Sequence, residues 1–438
     1  METNDDDTAA VASAARDVAD GWEELVERIG GARYVLIGTA SHGTREFYQM
    51  RADLTRRLIA EKGFRVVALE ADWPDTMRVH RYVSGQGADN DGEGALFDFR
   101  RFPHWLWRNE VMPGFVEWLR EWNAGQVQRA GIFGMDLYSL HASLESVLRY
   151  LKKVDPAAAK RAKARYACFD HMAENPHEYG IAAATDRDES CEEEAVAQLM
   201  EIRRSEFETP GRPEDSEDER FFAEQNAKVV ADAERYYRAM FRGHGESWNM
   251  RDRHMAERVL DLAEHFGPGD KAAKTVVWAH NLHLGDSRAT EMAKRGQSNV
   301  GRLLREKAPG QVVSIGFTTY AGRLTAAGDW DGPPETMAVR PALTESYEAL
   351  FHRTGRRAFW LDLREMGAAR DVLARPRLQR SIGVIYRPET ERWSHYMSAD
   401  LTKQFDFIIH VDTTTALPPL HDSPKPARDR PCDPPAEI

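Results

Sequence analysis

The chain has 438 residues, a formal net charge of −12 at pH 7 and a mean hydropathy of −0.60. Its composition, 30% charged and 42% hydrophobic, is that of a globular protein with a large buried core, which excludes a disordered or fibrous chain. The acidic balance disfavours nucleic acid as a partner because phosphates need clustered positive charge, and no apolar run approaches the roughly 20 residues that span a membrane.

Seven short apolar runs predict the strands of a parallel sheet. Most are nearly continuous in branched and aromatic residues, which is typical of strands covered on both faces. After the first run, Thr44 is expected to cap a helix whose apolar stripe runs from Phe47 to Leu58. This alternation predicts an α/β fold with a central, mostly parallel sheet flanked by helices. The predicted strands cover residues 34–37, 65–69, 131–134, 275–278, 312–315, 359–361 and 405–409.

A long stretch between the third and fourth strands contains no predicted strand. Residues 139–266 show helical periodicity, interrupted by the acidic stretch 208–219, which is expected to be a solvated loop. We interpret 139–266 as a large helical insertion that covers one end of the sheet as a lid. The other predicted divisions are a partly flexible N-terminal segment 1–23, an α/β catalytic core formed by 24–138 and 267–416, and a disordered proline-rich tail 417–438.

Cysteine usage bears on the compartment. The three cysteines, Cys168, Cys191 and Cys432, are odd in number and widely separated, and the first two lie in the predicted insertion without an obvious partner. This pattern fits a reducing compartment better than a disulfide scaffold. We therefore expect a cytoplasmic protein.

Each of four predicted strands is followed directly by a polar segment rich in potential catalytic residues. Because ligands of open parallel sheets bind beyond the carboxyl ends of the strands, these segments are expected to converge on one site. No G-x-S-x-G serine elbow and no glycine-rich phosphate loop occurs, which disfavours a serine hydrolase and nucleotide chemistry. The four segments are GTASHG (38–43), EADW (70–73), MDLY (135–138) and AHNLH (279–283).

His42 and Glu70 are the first two candidate catalytic residues. The imidazole of His42 follows a strand and suits a general base, the alternative being a histidine hydrogen-bonded at a turn. Glu70 ends an apolar run, where an unpaired carboxylate is costly to bury; it could orient His42, hold a proton or pair with an arginine. Asp72 and Asp136 also follow strands and are assigned to substrate binding, although such carboxylates often cap the next helix.

His280 and His283 follow the fourth strand with H-x-x-H spacing. Zinc sites on helices favour an i, i+4 pair, so we expect no cofactor. The alternative is a divalent metal held by this pair together with His42 and Glu70. Without a metal, the two imidazoles would form hydrogen bonds and transfer protons. Packing within a loop is the third possibility.

Arg251 and Trp105 complete the candidates that rest on the residue pattern. Asn249 is predicted to cap a helix on which Arg251 shares an apolar stripe with Met255, so the guanidinium is expected to point into the protein. There it could stabilise an oxyanion or form an internal salt bridge with a strand-end carboxylate. Trp105 lies in FPHWLWRN (102–109), which is either an aromatic wall for a bulky apolar ligand or part of the core.

Taken together, these segments resemble the erythromycin esterase family. The resemblance runs from about residue 24 to residue 420 and agrees in order and spacing. The matching segments are GTASHGTREFYQMR (38–51), GFRVVALEADW (63–73), RFPHWLWRNEV (101–111), GMDLYS (134–139), SWNMRDRHMAE (247–257), VVWAHNLHLG (276–285) and RPETERWSHY (387–396).

The resemblance implies an α/β core with a helical insertion, and attack of water on an ester without a covalent enzyme intermediate. It implies that His42 is the base that activates water and that Glu70, Arg251, His280 and His283 are further catalytic residues. It also implies macrolide substrates and antibiotic resistance. The expected partner is a small-molecule ester or lactone, while the oligomeric state is left open.

One position departs from the family pattern. Where macrolide-resistance members have glutamate, in G-E-x-x-H, this chain has Thr39, whose hydroxyl can form a hydrogen bond but carries no charge. Thr39 and Arg51, the last residue of the first matching segment, are assigned to substrate binding. The threonine favours a second hypothesis, in which the protein binds a polyol or sugar-like ligand without turnover.

Overall fold

A nine-stranded sheet forms the centre of the protein. The structure is a computed structural model and describes residues 5–171, 190–204, 214–240, 244–267 and 271–420. The strands are β1 (Arg16–Asp17), β2 (Tyr34–Ile37), β3 (Val66–Asp72), β4 (Gly131–Asp136), β5 (Thr275–Trp278), β6 (Val312–Ala326), β7 (Glu335–Val339), β8 (Ala358–Asp362), β9 (Arg377–Arg380), β10 (Tyr396–Ala399) and β11 (Phe407–Thr414). The large sheet has the order β1-β8-β11-β6-β2-β5-β3-β4, β7 pairs with β6, and β9 and β10 form a separate pair.

Parallel pairing dominates the part of the sheet that carries the candidate residues. Strand β2 lies between β5 and β6, β3 lies between β4 and β5, and all four of these pairs are parallel. Antiparallel pairing occurs at β1, β7 and β8. All seven predicted strands are present, and the predicted α/β class is confirmed. Strand β6 is longer than predicted because its second half forms a hairpin with β7.

Helices cover both faces of the sheet. Alternate residues of a strand point to opposite faces; accordingly Val35 packs in one apolar cluster with helix α3, while Leu36 packs in another with helix α11. Among the described residues, no helix is long and apolar enough to cross a membrane. The helices are α1 (Asp5–Ala14), α2 (Glu23–Ile29), α3 (Arg45–Lys62), α4 (Trp73–Val83), α5 (Gly92–Ala95), α6 (Met112–Ala124), α7 (Leu140–Val154), α8 (Pro156–Tyr166), α9 (Glu192–Arg204), α10 (Glu214–Met240), α11 (His244–His265), α12 (Asn281–Leu284), α13 (Val300–Lys307), α14 (Tyr347–His352), α15 (Arg370–Leu373), α16 (Glu391–Ser394) and α17 (Leu401–Gln404).

Helix α3 follows the first strand, as predicted, and buries its apolar stripe. Phe47 and Leu58 are fully buried against the sheet. Thr44 is the N-cap residue by backbone conformation, but its hydroxyl contacts the hydroxyl of Ser41 and does not cap the helix amides. The Thr44 side chain therefore fixes the loop that carries His42.

The described residues between 139 and 266 form helices and turns, without a strand. The acidic stretch 208–219 is only partly as predicted, because helix α10 begins at Glu214. Residues 208–213 lie outside the described residues.

The cysteines are paired, contrary to the expectation. Cys168 and Cys191 form a disulfide, because the packing of the helices brings their Cα atoms to 5.9 Å; Cys432 lies outside the described residues. Of the predicted N-terminal segment 1–23, Asp5–Ala14 form α1 and Arg16–Asp17 pair with β8, while residues 1–4 lie outside the described residues. At the other end, Leu417 is fully buried and Leu420 donates its amide to the Arg108 carbonyl, so residues 417–420 are packed. The rest of the predicted tail, 421–438, lies outside the described residues.

Candidate active site

Four strand ends meet at one cavity. Ile37, Trp278 and Leu69 lie side by side in the register of β2, β5 and β3, and Asp72 lies opposite Asp136. A cavity of about 200 Å³ opens beyond these strand ends. Seven of the residues assigned from the sequence line it, namely His42, Glu70, Asp72, Asp136, Arg251, His280 and His283.

The loop that carries His42 is held by main-chain contacts. A Cβ atom on Gly43 would lie 1.7 Å from the Thr325 carbonyl oxygen, so this position needs glycine. The Gly43 carbonyl accepts hydrogen bonds from the amides of Thr325 and Leu417, both at 2.9 Å. On the other side, the Asn281 amide donates to the Thr39 carbonyl at 2.8 Å. The loop is thereby tied to the segment that carries His280.

His42 and His280 lie together in the cavity wall, with ring centres 5.0 Å apart. Burial lowers the pKa of His42 to about 4, against the opposing effect of Glu70, and burial lowers the pKa of His280 to about 3. Both imidazoles are therefore neutral at pH 7. His280 Nδ1 accepts from the Leu282 amide at 3.4 Å, which places the ring proton on Nε2. Nε2 is buried and forms no well-directed hydrogen bond with another described residue, while the backbone of Ala40 also interacts with the ring.

The Glu70 carboxylate connects the strand ends. Its Oε2 accepts the backbone amide of His280 at 2.8 Å, and its Oε1 accepts from Arg251 Nη2 at 2.8 Å. Burial alone would raise the pKa of Glu70, but His283, His42 and Arg251 hold it well below its ordinary value. Glu70 is therefore ionised. It interacts with His42 through its charge, and no direct hydrogen bond between the two is seen among the described contacts.

Arg251 on α11 is bound by two carboxylates. Its Nε and Nη2 donate to the two oxygens of Asp136 at 3.0 and 2.6 Å, while Nη2 also reaches Glu70. Its Nη1 lies 3.1 Å from His283 Nε2. The internal salt bridge considered from the sequence is therefore present, and these N–H groups are directed at protein atoms.

The predicted cap of this helix is wrong. Helix α11 begins at His244, five positions before Asn249. The Asn249 side chain instead accepts the Ser298 amide at 2.8 Å and donates to the Gly296 carbonyl at 3.0 Å. The hydrogen bonds that a cap would give to the helix are made instead to residues that are distant in sequence, which the local sequence does not reveal.

His283 has two partners on α11 that the sequence reasoning missed as site residues. Asp252 is fully buried and contacts His283 Nδ1 through both oxygens, at 2.9 and 3.0 Å. The ring of Trp248 is stacked on the imidazole, 4.7 Å from it. Burial would lower the pKa of His283, but the charges of Asp252 and Glu70 outweigh it and raise the pKa to about 9. The sequence did contain a signal for these two residues. Trp248 and Asp252 are four positions apart, so they share one face of a helix and can contact the same neighbour.

Three assigned substrate-binding residues do not line the cavity. Thr39 is fully buried, and its hydroxyl has no partner among the described residues. The Arg51 guanidinium is buried over the rings of Tyr48 and Trp278, at 4.3 and 4.8 Å. Trp105 is fully buried in the core, which is the alternative considered for it. All three side chains are therefore buried in the protein outside the lining of the cavity.

Several aromatic side chains also line the cavity. Phe102 and Trp330 lie 4.7 Å apart and join the loop before α6 to the hairpin of β6 and β7. Asp72, also in the wall, is paired with Arg101 at 2.7 Å. His395, from the last matching segment, lines the cavity but accepts the Arg387 amide at 3.2 Å, and burial lowers its pKa to about 4. Only three-dimensional packing shows that these distant segments form one cavity.

The residues considered for a divalent metal are engaged with other protein groups. Both Glu70 oxygens accept hydrogen bonds, and His283 Nε2 lies 3.1 Å from Arg251 Nη1. Within the described part of the chain, no group of three or more histidine, cysteine, aspartate or glutamate side chains is arranged to hold a metal ion.

Comparisons with known proteins agree with this architecture. A sequence model described as erythromycin esterase matches residues 59–414. The chain is 26% identical over 326 residues to the protein named erythromycin esterase type II of Escherichia coli, covering 70% of this chain and 74% of that protein.

Two solved structures share the fold. One is a protein named for succinoglycan biosynthesis, with a TM-score of 0.76 and 21% identity, covering 94% of this chain and 98% of that one. The other is a mutant of the erythromycin esterase EreC in its open conformation, with a TM-score of 0.60 and 15% identity, covering 91% of this chain and 94% of that one.

Proposed function

Because this chain belongs to the erythromycin esterase family, we propose that it is a hydrolase that cleaves a carboxylic ester or lactone with water activated by His42. The observation that carries the proposal is a pair of imidazoles with opposite proton affinities in one cavity. The pKa of His42 is lowered to about 4, and that of His283 is raised to about 9. Such separation assigns a base and an acid at neutral pH.

In the first step, water adds to the carbonyl carbon while His42 accepts a proton from it. Glu70 is ionised nearby, so it stabilises the imidazolium as it forms. The negative charge that develops on the carbonyl oxygen needs a hydrogen-bond donor. We assign this role to the His280 ring, which lines the same wall as His42. Loss of one such donor typically costs on the order of 10²–10³ in rate.

In the second step, the bond to the leaving oxygen breaks as His283 donates its Nε2 proton to that oxygen. The products are an acid and an alcohol, or a hydroxy acid from a lactone. His42 then holds the proton that came from water, and its transfer to His283 through solvent in the cavity restores the starting state. Arg251 fixes Glu70 and Asp136 in this scheme, and metal-free chemistry is proposed throughout.

The wall suggests the class of substrate. Beside the catalytic groups, the cavity is lined by large apolar side chains, which favour a bulky apolar ester over a small charged one. Macrolide lactones are the first compounds to test, since a relative bears the erythromycin esterase name. The apolar lining residues are Phe99, Phe102, Pro103, Leu106, Trp107, Tyr138, Trp248, Leu282, Trp330 and Val384.

A substrate panel tests this function. Wild-type protein would be incubated with aryl esters, simple lactones and macrolides, with and without a chelator, and products followed by mass spectrometry. We expect turnover that survives chelation and is lost in His42→Asn, with an unchanged melting temperature at pH 7.5. His352→Asn is the control, because His352 is exposed and does not line the cavity. An active His42→Asn protein, or activity that needs a metal, would exclude the mechanism.

A ligand-binding protein without turnover is the second candidate. It is favoured by Thr39, whose uncharged side chain stands where the macrolide-resistance members have glutamate. Because Thr39 is fully buried and does not line the cavity, a Thr39→Ser variant, which keeps the hydroxyl, is expected to leave turnover unchanged under the hydrolase proposal. Binding of a polyol with no product from any ester, in both proteins, would support the second candidate.

A further inference from the structure

Asp252 lies directly after Arg251 on α11 and has no surface on the cavity. It is fully buried, and its Oδ1 accepts the Val300 amide at 3.0 Å in addition to its contacts with His283 Nδ1. The Val300 amide begins helix α13, so the carboxylate is anchored by main chain as well as by the ring. A buried carboxylate with these partners has little freedom to move.

His283 is held from three directions. Asp252 occupies Nδ1, Trp248 covers a ring face, and Nε2 lies 3.3 Å from Glu70 Oε1 and 3.1 Å from Arg251 Nη1. Trp248 and Asp252 are separated by four positions, so the same helical face supplies the stacking ring and the carboxylate. Trp248 is itself fixed, because its Nε1 donates to the Ser298 carbonyl at 2.9 Å.

We propose that Asp252 is a positioning residue that holds a proton on His283 Nδ1 and aims the opposite nitrogen, Nε2, at Glu70 and the cavity. This inference rests on the proposed function, because it supplies the orientation that proton donation by His283 requires. Asp252 acts only through His283. Because Asp252 keeps one proton on Nδ1 and its negative charge favours a second proton on Nε2, the ring can donate from Nε2 to a leaving oxygen. Without the carboxylate, the ring loses the second proton more readily and Nε2 cannot donate.

The charges around His283 agree with this role. Asp252 and Glu70 favour the protonated ring, while Arg251, His42 and His280 are the other titratable groups of the surrounding wall. Glu70 is shared with Arg251 and the His280 amide, whereas Asp252 forms no salt bridge with an arginine or lysine among the described contacts. Asp252 is therefore the carboxylate dedicated to His283.

Asp252→Asn tests the proposal, with Asp232→Asn as a matched control. Asp232 makes the corresponding contact to a neighbouring histidine of α11, since its Oδ2 lies 2.7 Å from His254 Nδ1, but neither residue lines the cavity. An amide keeps the size of the side chain but removes the negative charge that favours the doubly protonated ring, and its NH₂ group can face Nδ1 in place of a proton acceptor. We expect kcat to fall by on the order of 10²–10⁴-fold in Asp252→Asn, with KM within about threefold, and to be unchanged in Asp232→Asn.

Histidine ¹⁵N spectra give a readout that does not require turnover. The His283 signals would be assigned by their loss in His283→Gln. In the wild type we expect Nδ1 to be protonated throughout pH 6–8, and in Asp252→Asn we expect the proton distribution between the two nitrogens to change. If the wild-type protein shows an unprotonated Nδ1 in this range, the proposal is wrong even if Asp252→Asn fails to fold.

The two readouts separate this inference from the proposed function. A protected Nδ1 proton in a protein that hydrolyses no ester would contradict the hydrolase while leaving the positioning role intact. An active enzyme in which Asp252→Asn retains the kcat of Asp232→Asn would contradict the positioning role while leaving the hydrolase intact.

Discussion

The Glu70 carboxylate accepts the backbone amide of His280 at 2.8 Å, so a side chain of β3 fixes the main chain after the neighbouring strand β5. The same carboxylate accepts from Arg251, which belongs to the helical insertion. Three parts of the chain that are distant in sequence are therefore joined through one buried anion. The position of His280 relative to His42 depends on this anion as much as on the sheet.

Glu70→Gln is expected to weaken the hydrogen bonds that join β3 to Arg251 and to the backbone of His280. An amide keeps the shape but places an NH₂ group against either Arg251 or the His280 amide, both of which are donors. We expect a loss of stability of about 3 kcal/mol and faster hydrogen exchange at the His280 amide. The measurements are urea unfolding and hydrogen–deuterium exchange.

Glu46→Gln is the control for that variant. Glu46 also accepts two hydrogen bonds, from the backbone amide and the hydroxyl of Thr415 at 2.9 and 2.7 Å, but these hydrogen bonds lie at the protein surface. Its replacement is expected to cost less than about 1 kcal/mol. Equal losses in the two variants would contradict the role given to the buried anion.

Because His42 is neutral in the folded protein, the free energy of unfolding is expected to depend on pH. The pKa of His42 is about 4 in the folded protein and 6.5 in the unfolded chain. Protonation of the unfolded chain therefore leaves the free energy of unfolding unchanged above pH 6.5 and lowers it as the pH falls from 6.5 towards 4. Between pH 7.5 and 5 this amounts to about 2 kcal/mol. We expect His42→Asn to lose less unfolding free energy than the wild type over this interval. An identical decline in both proteins would show that His42 is not held neutral by the fold.

Arg251→Met should destabilise the protein strongly. The change leaves Asp136 and Glu70 buried without their cation, and breaking a buried pair in this way typically costs about 3–5 kcal/mol. Arg161→Met removes an arginine that is half exposed and pairs with Glu201 at the surface, so the free energy of unfolding should hardly change. Chemical unfolding of the two variants distinguishes these values. A small loss in Arg251→Met would mean that water already solvates the carboxylates.

Gly43→Ala is expected to lower both stability and turnover. Its Cβ would meet the Thr325 carbonyl at 1.7 Å, so the loop must move, and His42 moves with it. Gly114→Ala is the control, because a Cβ there has no atom within 4 Å and alanine suits the interior of α6. We expect that control to raise stability by about 0.5–1 kcal/mol with full activity. If Gly43→Ala is fully active, the loop does not need its present position.

The strands and their polar ends could be predicted because the relevant signals are local. Continuous apolar runs identify strands covered on both faces, and the convergence of their carboxyl ends follows from parallel pairing. His42, Glu70 and His280 thus fall in one cavity, although no pairing of strands was known beforehand. Their catalytic roles remain a prediction.

The partners of these residues could not be predicted, because they come from contacts between distant segments. The residue pattern did not identify Asp252 as a site residue, yet Asp252 lies on a helix that begins earlier than predicted and binds His283. Thr39 follows the same strand as His42 but is turned away from the cavity. Residue type and spacing indicate which residues can form a site, whereas the direction in which each side chain points depends on tertiary packing.

The hydrogen bond from the Leu417 amide to the Gly43 carbonyl has a consequence for biosynthesis. The two residues are 374 positions apart in the sequence, so a growing polypeptide lacks the hydrogen bond from Leu417 to its His42 loop until the residues after β11 have been made. A nascent chain, or a fragment truncated before Leu417, would therefore carry the histidines without the finished arrangement. Fusion partners used to study this protein are accordingly best attached beyond residue 420.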